Sequence, residues 1–188
     1  MKRVALSILI GGLILFVWNI ISWMGLPFHD SSLHSIPESA LNTSILQSSL
    51  PEDGVYHYPG MDTENVEAKL SQGPRIPLMV FKKGSTQLFD PASFGVSFAI
   101  NLLTAASLLL IMARLKDKSL RSLLQVALLL GLAASLVSDF SLMNWYMFPL
   151  DYTIINVMDH LIGFTLVAVF FHFFSVEKEK QPELTAVN

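Results

Sequence analysis

The sequence has no cysteine and few charged residues. Without cysteine the chain can form no disulfide, and it offers no thiolate ligand, thiol nucleophile or redox pair. Only 14% of its 188 residues are charged, whereas a typical soluble domain has about 25%. The net charge of −3 is small and gives no indication of a basic surface for nucleic acid. Disulfide-stabilised, thiol-dependent and nucleic-acid-binding proteins are therefore excluded.

Long apolar runs are abundant, since 52% of the residues are hydrophobic and the mean hydropathy is +0.53. Four runs reach the roughly 20 residues that a helix needs to cross about 30 Å of hydrocarbon. Lipid offers no hydrogen-bond partner to backbone amides, so each run is predicted to be an α-helix. The first is interpreted as an uncleaved anchor, because no small-residue cleavage site follows it. The runs are Val4–Met24 and about 92–113, 123–142 and 152–176.

Basic residues indicate the orientation of these helices. Lys2 and Arg3 precede the first run, and the short loop from Arg114 to Arg121 holds four basic residues. Short loops rich in Lys and Arg stay on the cytoplasmic side of a membrane. Both termini are therefore predicted to be cytoplasmic, with the long segment 27–91 on the opposite side.

Residues 27–91 form the only segment with a composition like that of a soluble protein. It is too short to bury a large core alone and is expected to rest on the ends of the helices. Turn and capping signals divide it into four short elements. These are a helix that starts at the capping-box pair Ser35 and Glu38, a strand at Val55–Tyr58, a helix capped by Asp62 or Thr63 and ended by Gly73, and a strand at Ile76–Phe81.

The predicted fold class is an α-helical membrane protein. It consists of a four-transmembrane-helix bundle with a small extracytoplasmic α+β cap between helices 1 and 2. The predicted divisions are 1–26 for transmembrane helix 1, 27–91 for the cap, 92–176 for transmembrane helices 2–4 and 177–188 for a cytoplasmic tail. No helix is visibly broken by the glycine or proline pattern of a transporter.

Small residues predict how the helices pack. Ala127, Gly131 and Ser135 recur every four residues in the third run. Helices in lipid pack closely through such small side chains. Gly163 is expected to make the corresponding close approach on the fourth run.

Polar side chains follow the same faces. Asn156, Asp159, His160 and Gly163 lie on one face of the fourth helix by their spacing. At 1.5 Å per residue, Asp159 lies about 8–9 Å below the outer surface, where an unpaired charge is costly. Asn19, Ser22 and Trp23 share a face of the first helix.

The polar groups of the helices can converge on one outer pocket beneath the cap. In one interpretation they bind an ion, a proton or a polar ligand. In the other, which is favoured, they form hydrogen bonds between helices and set the helix register. The pocket residues are Asn101, Asp139, Asn156, Asp159 and His160.

His29 and His34 are weaker candidates for a metal site, together with Asp159 and His160. Their spacing of five suits neither one helix face nor a known zinc pattern. No Gly-x-Ser-x-Gly or Ser-x-x-Lys motif occurs, so no catalytic residue is predicted. The sequence names no cofactor.

Four motifs resemble those of an uncharacterised group of bacterial four-transmembrane-helix inner-membrane proteins that have one outer cap. The resemblance implies a bacterial inner membrane, a periplasmic cap and the topology predicted above, and it adds no function. The motifs are Ser22-Trp-Met-Gly-Leu-Pro-Phe-His29, Gly54-Val-Tyr-His-Tyr-Pro-Gly60, Asn144-Trp-Tyr-Met-Phe-Pro149 and Asp159-His-Leu-Ile-Gly-Phe164.

Three functions are compatible with these patterns. The first is a non-enzymatic accessory or assembly subunit of a larger envelope complex, because the chain is short and has no complete catalytic set. The second is a small transporter or proton-coupled carrier that uses the outer pocket. The third is a metal-binding membrane enzyme. The expected partners are the lipid bilayer and either a membrane protein or a second copy of the chain.

Overall fold

The computed structural model describes residues 2–61, 63–84, 86–87 and 89–180. The chain is mostly helical, with one small two-stranded sheet. Its elements are α1 (Lys2–Ile20), α2 (Phe28–Ser32), α3 (Thr43–Ser49), β1 (Gly54–Tyr58), α4 (Val66–Gln72), β2 (Ile76–Phe81), α5 (Pro91–Ala113), α6 (Leu120–Val137), α7 (Asp139–Tyr146) and α8 (Leu150–Lys180).

The prediction of four long apolar helices is confirmed. The stretches long and apolar enough to cross a membrane are Lys2–Gly25, Pro91–Ala113, Leu120–Tyr146 and Leu150–Phe174. Such helices indicate an integral membrane protein. α8 continues to Lys180, four residues past the predicted helix end at 176, and residues 181–188 lie outside the described part.

The bundle consists of two helix pairs. α1 packs along α5, α6 packs along α8, and the contact between α1 and α8 joins the pairs. α5 and α6 contact each other very little although they are consecutive. Glycine permits two of the close approaches. A Cβ on Gly131 would lie 3.1 Å from Leu161 Cδ2, and one on Gly163 would lie 3.1 Å from Leu15 Cδ2.

The half of the bundle farther from the cap is an apolar core. Its fully buried side chains come from all four long helices. These side chains are buried between the helices and pack closely against one another, so the contacts in this half of the bundle are apolar. The largest apolar side chains that are almost completely buried are Met112, Leu123 and Val167.

The cap contains an antiparallel pair, in which Val55 lies opposite Val80 and Tyr58 lies opposite Ile76. The predicted strand at Ile76–Phe81 is confirmed, and the other begins one residue earlier, at Gly54. Gly73 ends α4 as predicted, with a positive φ of 62°, a conformation that glycine adopts without steric cost.

The predicted starts of the cap helices were wrong. The capping-box pair Ser35 and Glu38 leads only into a short 3₁₀ turn at Glu38–Ala40. The helix begins at Thr43, because the Asn42 side chain accepts a hydrogen bond from the Ile45 N–H. α4 begins after Asn65 and not after Thr63, and Asp62, the other predicted cap, lies outside the described residues.

Two of the long helices change geometry next to the polar half of the bundle. α1 continues as a π-helical turn at Ile21–Gly25. Ser138 separates α6 from α7, and its hydroxyl donates back to the Ala134 carbonyl oxygen, a bond that bends helices. Both helices nevertheless remain continuous over their apolar spans, Lys2–Gly25 and Leu120–Tyr146. π-Turns of this kind occur frequently at functional sites.

Candidate functional site

A cavity of about 480 Å³ lies in the half of the bundle nearer the cap. Its wall comes from all four long helices, and it lies where the two helix pairs separate. The aromatic part of the wall includes Phe16, Trp23, Phe94 and Phe164. The polar part consists of Asn19, Ser97, Asn101, Thr104, Asn156, Asp159 and His160.

On one side of the cavity, Asp159 joins α8 to the end of α1 and to α2. Its Oδ1 accepts a hydrogen bond from the Ser22 hydroxyl at 2.5 Å, and its Oδ2 lies 2.9 Å from His29 Nε2. Ser22 Oγ also lies 3.3 Å from the same His29 nitrogen. His29 is 1% exposed and stacks on the Trp23 indole, with the ring centres 3.8 Å apart.

The geometry assigns the proton of His29 to one nitrogen. Nε2 faces a carboxylate oxygen and therefore carries a hydrogen. Nδ1 is buried and has no hydrogen-bond partner among the described residues. A second proton on Nδ1 would create a buried N–H without an acceptor, which is costly. All the polar contacts of His29 within the described chain are therefore made by its Nε2 edge.

His160, the next residue of α8, pairs with α6 and α7 instead. Its Nδ1 lies 3.1 Å from Asp139 Oδ2 and 3.2 Å from the Ser135 hydroxyl oxygen. Nδ1 carries a hydrogen because it faces a carboxylate. Nε2 makes no hydrogen bond within the described chain, and the ring lines the cavity.

Three asparagines complete the polar wall. The Asn101 amide N–H donates to the Ser97 carbonyl oxygen at 2.9 Å, and that of Asn19 donates to Asn101 Oδ1 at 3.1 Å. The Asn156 amide N–H donates to the Tyr152 carbonyl oxygen at 2.8 Å. Backbone carbonyls only accept, so these contacts determine which end of each amide is nitrogen.

The structure places four of the five predicted pocket residues on the cavity wall: Asn101, Asn156, Asp159 and His160. Asp139, which is 9% exposed, reaches the cavity only through His160. Of the predicted packing residues, Ala127, Gly131, Ser135 and Gly163 are all buried. Ser135 also holds the His160 ring in place.

The sequence prediction did not assign Ser22 and Asn19 to the site, although their position on one face with Trp23 was visible. A polar stripe on a helix tells which residues share a face, but it does not tell which neighbouring helix they meet. Ser22 and Asp159 are 137 residues apart in the chain.

Of the predicted metal candidates, the structure brings together only His29 and Asp159. Among the residues that the structure describes, no group of three His, Asp or Glu side chains is placed to hold a metal ion. His29 pairs with Asp159 alone, while His34 is exposed in the segment after α2. The two histidine–aspartate pairs are therefore separate two-residue contacts.

Comparison with known proteins places part of this site within a family. The model of a family described as protein of unknown function (DUF1761) matches residues 65–172, more than half of the chain. The match spans α4 to most of α8 and so includes Asn101, Asp139, Asn156, Asp159 and His160. No curated protein and no solved structure matches the chain.

Proposed function

The chain belongs to the DUF1761 family of unknown function, and from this premise we propose that it is a non-enzymatic membrane protein that binds a small polar solute. The binding site is the cavity between the helix pairs, and such a site serves a carrier or a sensor. We further propose that the membrane is a bacterial inner membrane, that both termini are cytoplasmic and that residues 27–91 are periplasmic. The basic residues of the 114–121 loop support this orientation.

The observation that carries the proposal is a cavity of about 480 Å³ with a mixed polar and aromatic wall inside an otherwise apolar bundle. Pockets for small molecules commonly enclose about 300–1,000 Å³ and combine apolar walls with a few polar groups. Polar residues at this depth are costly unless they are paired or bind something. Asp159 and His160 are each paired with another side chain. These contacts do not fill the cavity that the two residues line together with Asn19, so space remains for a solute.

The hydrogen bonds argue against serine catalysis at this site. Each histidine has a serine and an aspartate close by, which resembles a catalytic triad in composition. In a working triad, however, the serine and the carboxylate bind opposite nitrogens of the ring. Here both contact Nε2 of His29, and both contact Nδ1 of His160. Neither ring can therefore accept the serine proton while the aspartate orients it.

Cysteine accessibility tests the proposal, because the natural chain has no cysteine and an introduced one is the only thiol. Ser97 lines the cavity, and its hydroxyl makes no hydrogen bond within the described chain. We expect a charged, water-soluble thiol reagent, added from the cap side of oriented vesicles, to modify Ser97→Cys. Ala133→Cys is the matched control, because Ala133 is exposed on the outer surface of α6 and would face lipid.

If Ser97→Cys were as unreactive as Ala133→Cys, the cavity would be closed to water and the solute-binding proposal would fail. Modification from the cytoplasmic side alone would contradict the proposed orientation.

A second candidate is the accessory or assembly subunit, and the cap favours it. Val55 and Val80 lie opposite each other in the sheet and are 64% and 76% exposed. Exposed apolar pairs on a small sheet are typical of surfaces that dock a partner. Purification in nanodiscs with mass spectrometry of the bound proteins tests this candidate. A stoichiometric partner that Val80→Ser removes would support it, and a partnerless native species would contradict it.

A further inference from the structure

We infer that the cavity binds the head group of a membrane amphiphile, meaning an uncharged, hydroxyl-bearing group attached to a hydrocarbon chain. The amphiphile enters sideways from the bilayer, through a gap between α5 and α6. This inference rests on the proposed solute-binding function and names the chemical class of the solute and its route. It is carried by the separation of the two helices, by the exposure of the polar wall and by the hydrogen-bonding groups that the cavity leaves free.

α5 and α6 approach each other in the half of the bundle farther from the cap. There, Met112 of α5 and Leu123 of α6 belong to one apolar cluster. The two consecutive helices otherwise contact each other very little. Nearer the cap, Ile100 of α5 and Ala134 of α6 both line the cavity, so open space lies between the two helices at this level. The gap is therefore a side opening of the cavity.

This side opening is uncovered in the described part of the chain. Ile100 lines the cavity and is nevertheless 58% exposed. Of the described helices, α8 is the one that packs against both α5 and α6, and α8 forms the opposite wall of the cavity. α7 packs against α6 and α8. Because the opening lies between two helices long enough to span a membrane, it faces lipid.

A polar wall that is open to lipid requires a polar occupant. α8 begins at Leu150, so Asn156 lies about 9 Å farther along the helix, at 1.5 Å per residue. His160, one turn beyond, has 34% of its side chain exposed. Hydrocarbon offers these groups no hydrogen bond, and such contact is costly. A bilayer molecule that inserts a polar head removes this cost, while its chain stays in the gap beside Ile100.

The free groups of the wall include both donors and acceptors. The amides of Asn19, Asn101 and Asn156 each use one N–H in a hydrogen bond and keep a second. The oxygens of Asn19 and Asn156 accept no hydrogen bond within the described residues. A hydroxyl both donates and accepts, whereas an ammonium only donates and a carboxylate only accepts. A head group with hydroxyls therefore satisfies both kinds of group on the wall.

Competition for a photoreactive monoacylglycerol tests the inference. The full-length protein in nanodiscs is illuminated with a monoacylglycerol that carries a diazirine at the end of its chain, and mass spectrometry measures the labelled peptides. Monododecanoylglycerol, methyl dodecanoate and glycerol are the competitors, with head and chain, chain alone and head alone. We expect saturable label beside Ile100 and Ala134. Monododecanoylglycerol should displace it at about tenfold lower concentration than methyl dodecanoate, because its hydroxyls add hydrogen bonds. Glycerol should not displace it.

Two tryptophan variants of α5 test the route. Ile100→Trp places a bulky ring at the rim of the opening and should remove most of the saturable label. Leu103→Trp is the matched control, because Leu103 is 71% exposed but does not line the cavity. It should leave the label unchanged. Both replaced side chains are exposed and apolar, so both variants should unfold close to the temperature of the natural protein.

Asn156→Leu tests the recognition of the head group. The Asn156 amide donates only to the Tyr152 carbonyl oxygen of its own helix, so its loss breaks no contact between helices. Leucine is similar in size but forms no hydrogen bond. We expect monododecanoylglycerol to lose about tenfold in apparent affinity, while methyl dodecanoate keeps its own. Equal losses for the two competitors would mean that Asn156 does not recognise the hydroxyls, which would overturn the assignment of the head group.

The remaining outcomes concern the class of the solute and the occupant of the gap. Displacement by glycerol at the concentration needed for monododecanoylglycerol would overturn the amphiphile and leave the solute-binding proposal standing. Stronger displacement by dodecylammonium or by dodecanoate would overturn the uncharged head group. Equal loss of label in Ile100→Trp and Leu103→Trp would overturn the route. Disulfide-linked dimers of Ile100→Cys, which has the only thiol of the chain, would place a second copy in the gap and overturn the amphiphile.

The accessibility of Ser97→Cys separates the inference from the function on which it rests. Label that does not saturate on protein in which Ser97→Cys is accessible would contradict the amphiphile alone. An inaccessible Ser97→Cys would contradict the solute-binding proposal itself.

Discussion

The two histidine–aspartate pairs use the same residue types on neighbouring positions of α8, yet their surroundings differ. His29 is 1% exposed and lies beneath the Trp23 ring, and Asp159 holds it together with Ser22. The His160 side chain is 34% exposed and borders the cavity, with only its Nδ1 engaged by Asp139 and Ser135.

The difference in surroundings indicates that one histidine–aspartate pair stabilises the fold and that the other can take part in binding. All the polar contacts of the first pair are directed at other parts of the chain, and they connect α8 to α1 and to the start of the cap. The second pair fixes one edge of the imidazole and leaves the other edge to the cavity. The first pair is therefore expected to dominate stability, and the second to dominate recognition.

The largest expected effect comes from removing the two aspartates in turn. Asp159→Ala should lower the free energy of unfolding by about 2–5 kcal/mol, because it leaves two buried donors, the Ser22 hydroxyl and His29 Nε2, without their acceptor. Asp139→Ala should cost less, about 1–3 kcal/mol, since His160 can still reach polar groups in the cavity. Equilibrium unfolding in mixed micelles measures both values.

The asparagine variants are the matched controls, because Asp159→Asn and Asp139→Asn keep the size of the side chain and one acceptor oxygen. Each should lose less stability than its alanine counterpart. Equal losses for Asp159→Ala and Asp139→Ala would show that the two pairs do not differ as proposed.

A smaller effect should follow from Trp23→Ala, which uncovers His29. The loss of the stacked ring is expected to cost about 1 kcal/mol. Diethyl pyrocarbonate followed by mass spectrometry should modify His160 but not His29 in the natural protein. In Trp23→Ala, His29 should become reactive, whereas Trp23→Phe should retain much of the protection. A reactive His29 in the natural protein would contradict the buried environment assigned to it.

The smallest effect concerns a carboxylate outside the bundle interior, which provides a surface reference for the two pairs. Asp90 caps α5, and hydrogen bonds from the Ser93 hydroxyl, the Ser93 N–H and the Ala92 N–H hold its pKa below the ordinary value of 3.8. Because the pKa is lower in the folded state, the cap stabilises the protein above about pH 4 and loses this effect as the pH falls through the folded value.

Asp90→Asn keeps a capping oxygen but does not titrate. Its unfolding temperature should therefore fall less than that of the natural protein when the pH is lowered below about 4. The difference should be slight, because Asp90 lies at the exposed end of its helix. A difference as large as that caused by Asp159→Ala would contradict the distinction between surface cap and interior pair.

Much of the fold could be predicted because its signals are local. The four long helices follow from apolar length, and β2 follows from its run of apolar and β-branched residues. The cap helices show where local signals compete. Ser35 and Glu38 have the spacing of a capping box, but Asn42 provides the cap that the helix uses, so the helix begins about two turns later than predicted.

The candidate site could be predicted only in part. Helical spacing brought Asn156, Asp159 and His160 to one face, and the structure lines one cavity with them. The partners of these residues come from other helices. The spacing of residues within α8 does not predict their hydrogen-bond partners. Asp159 contacts Ser22 and His29, whereas the neighbouring His160 contacts Asp139.

The sequence by itself determined the four apolar helices and the small size of the cap, because a bilayer accepts only segments whose backbone is satisfied internally. It also determined the absence of thiol chemistry. Only the tertiary structure decided which polar side chains meet, where the cavity lies and which edge of each imidazole is free. Those features depend on how four separate helices rotate and approach one another, and contacts such as Ser22 to Asp159 join residues far apart in the chain.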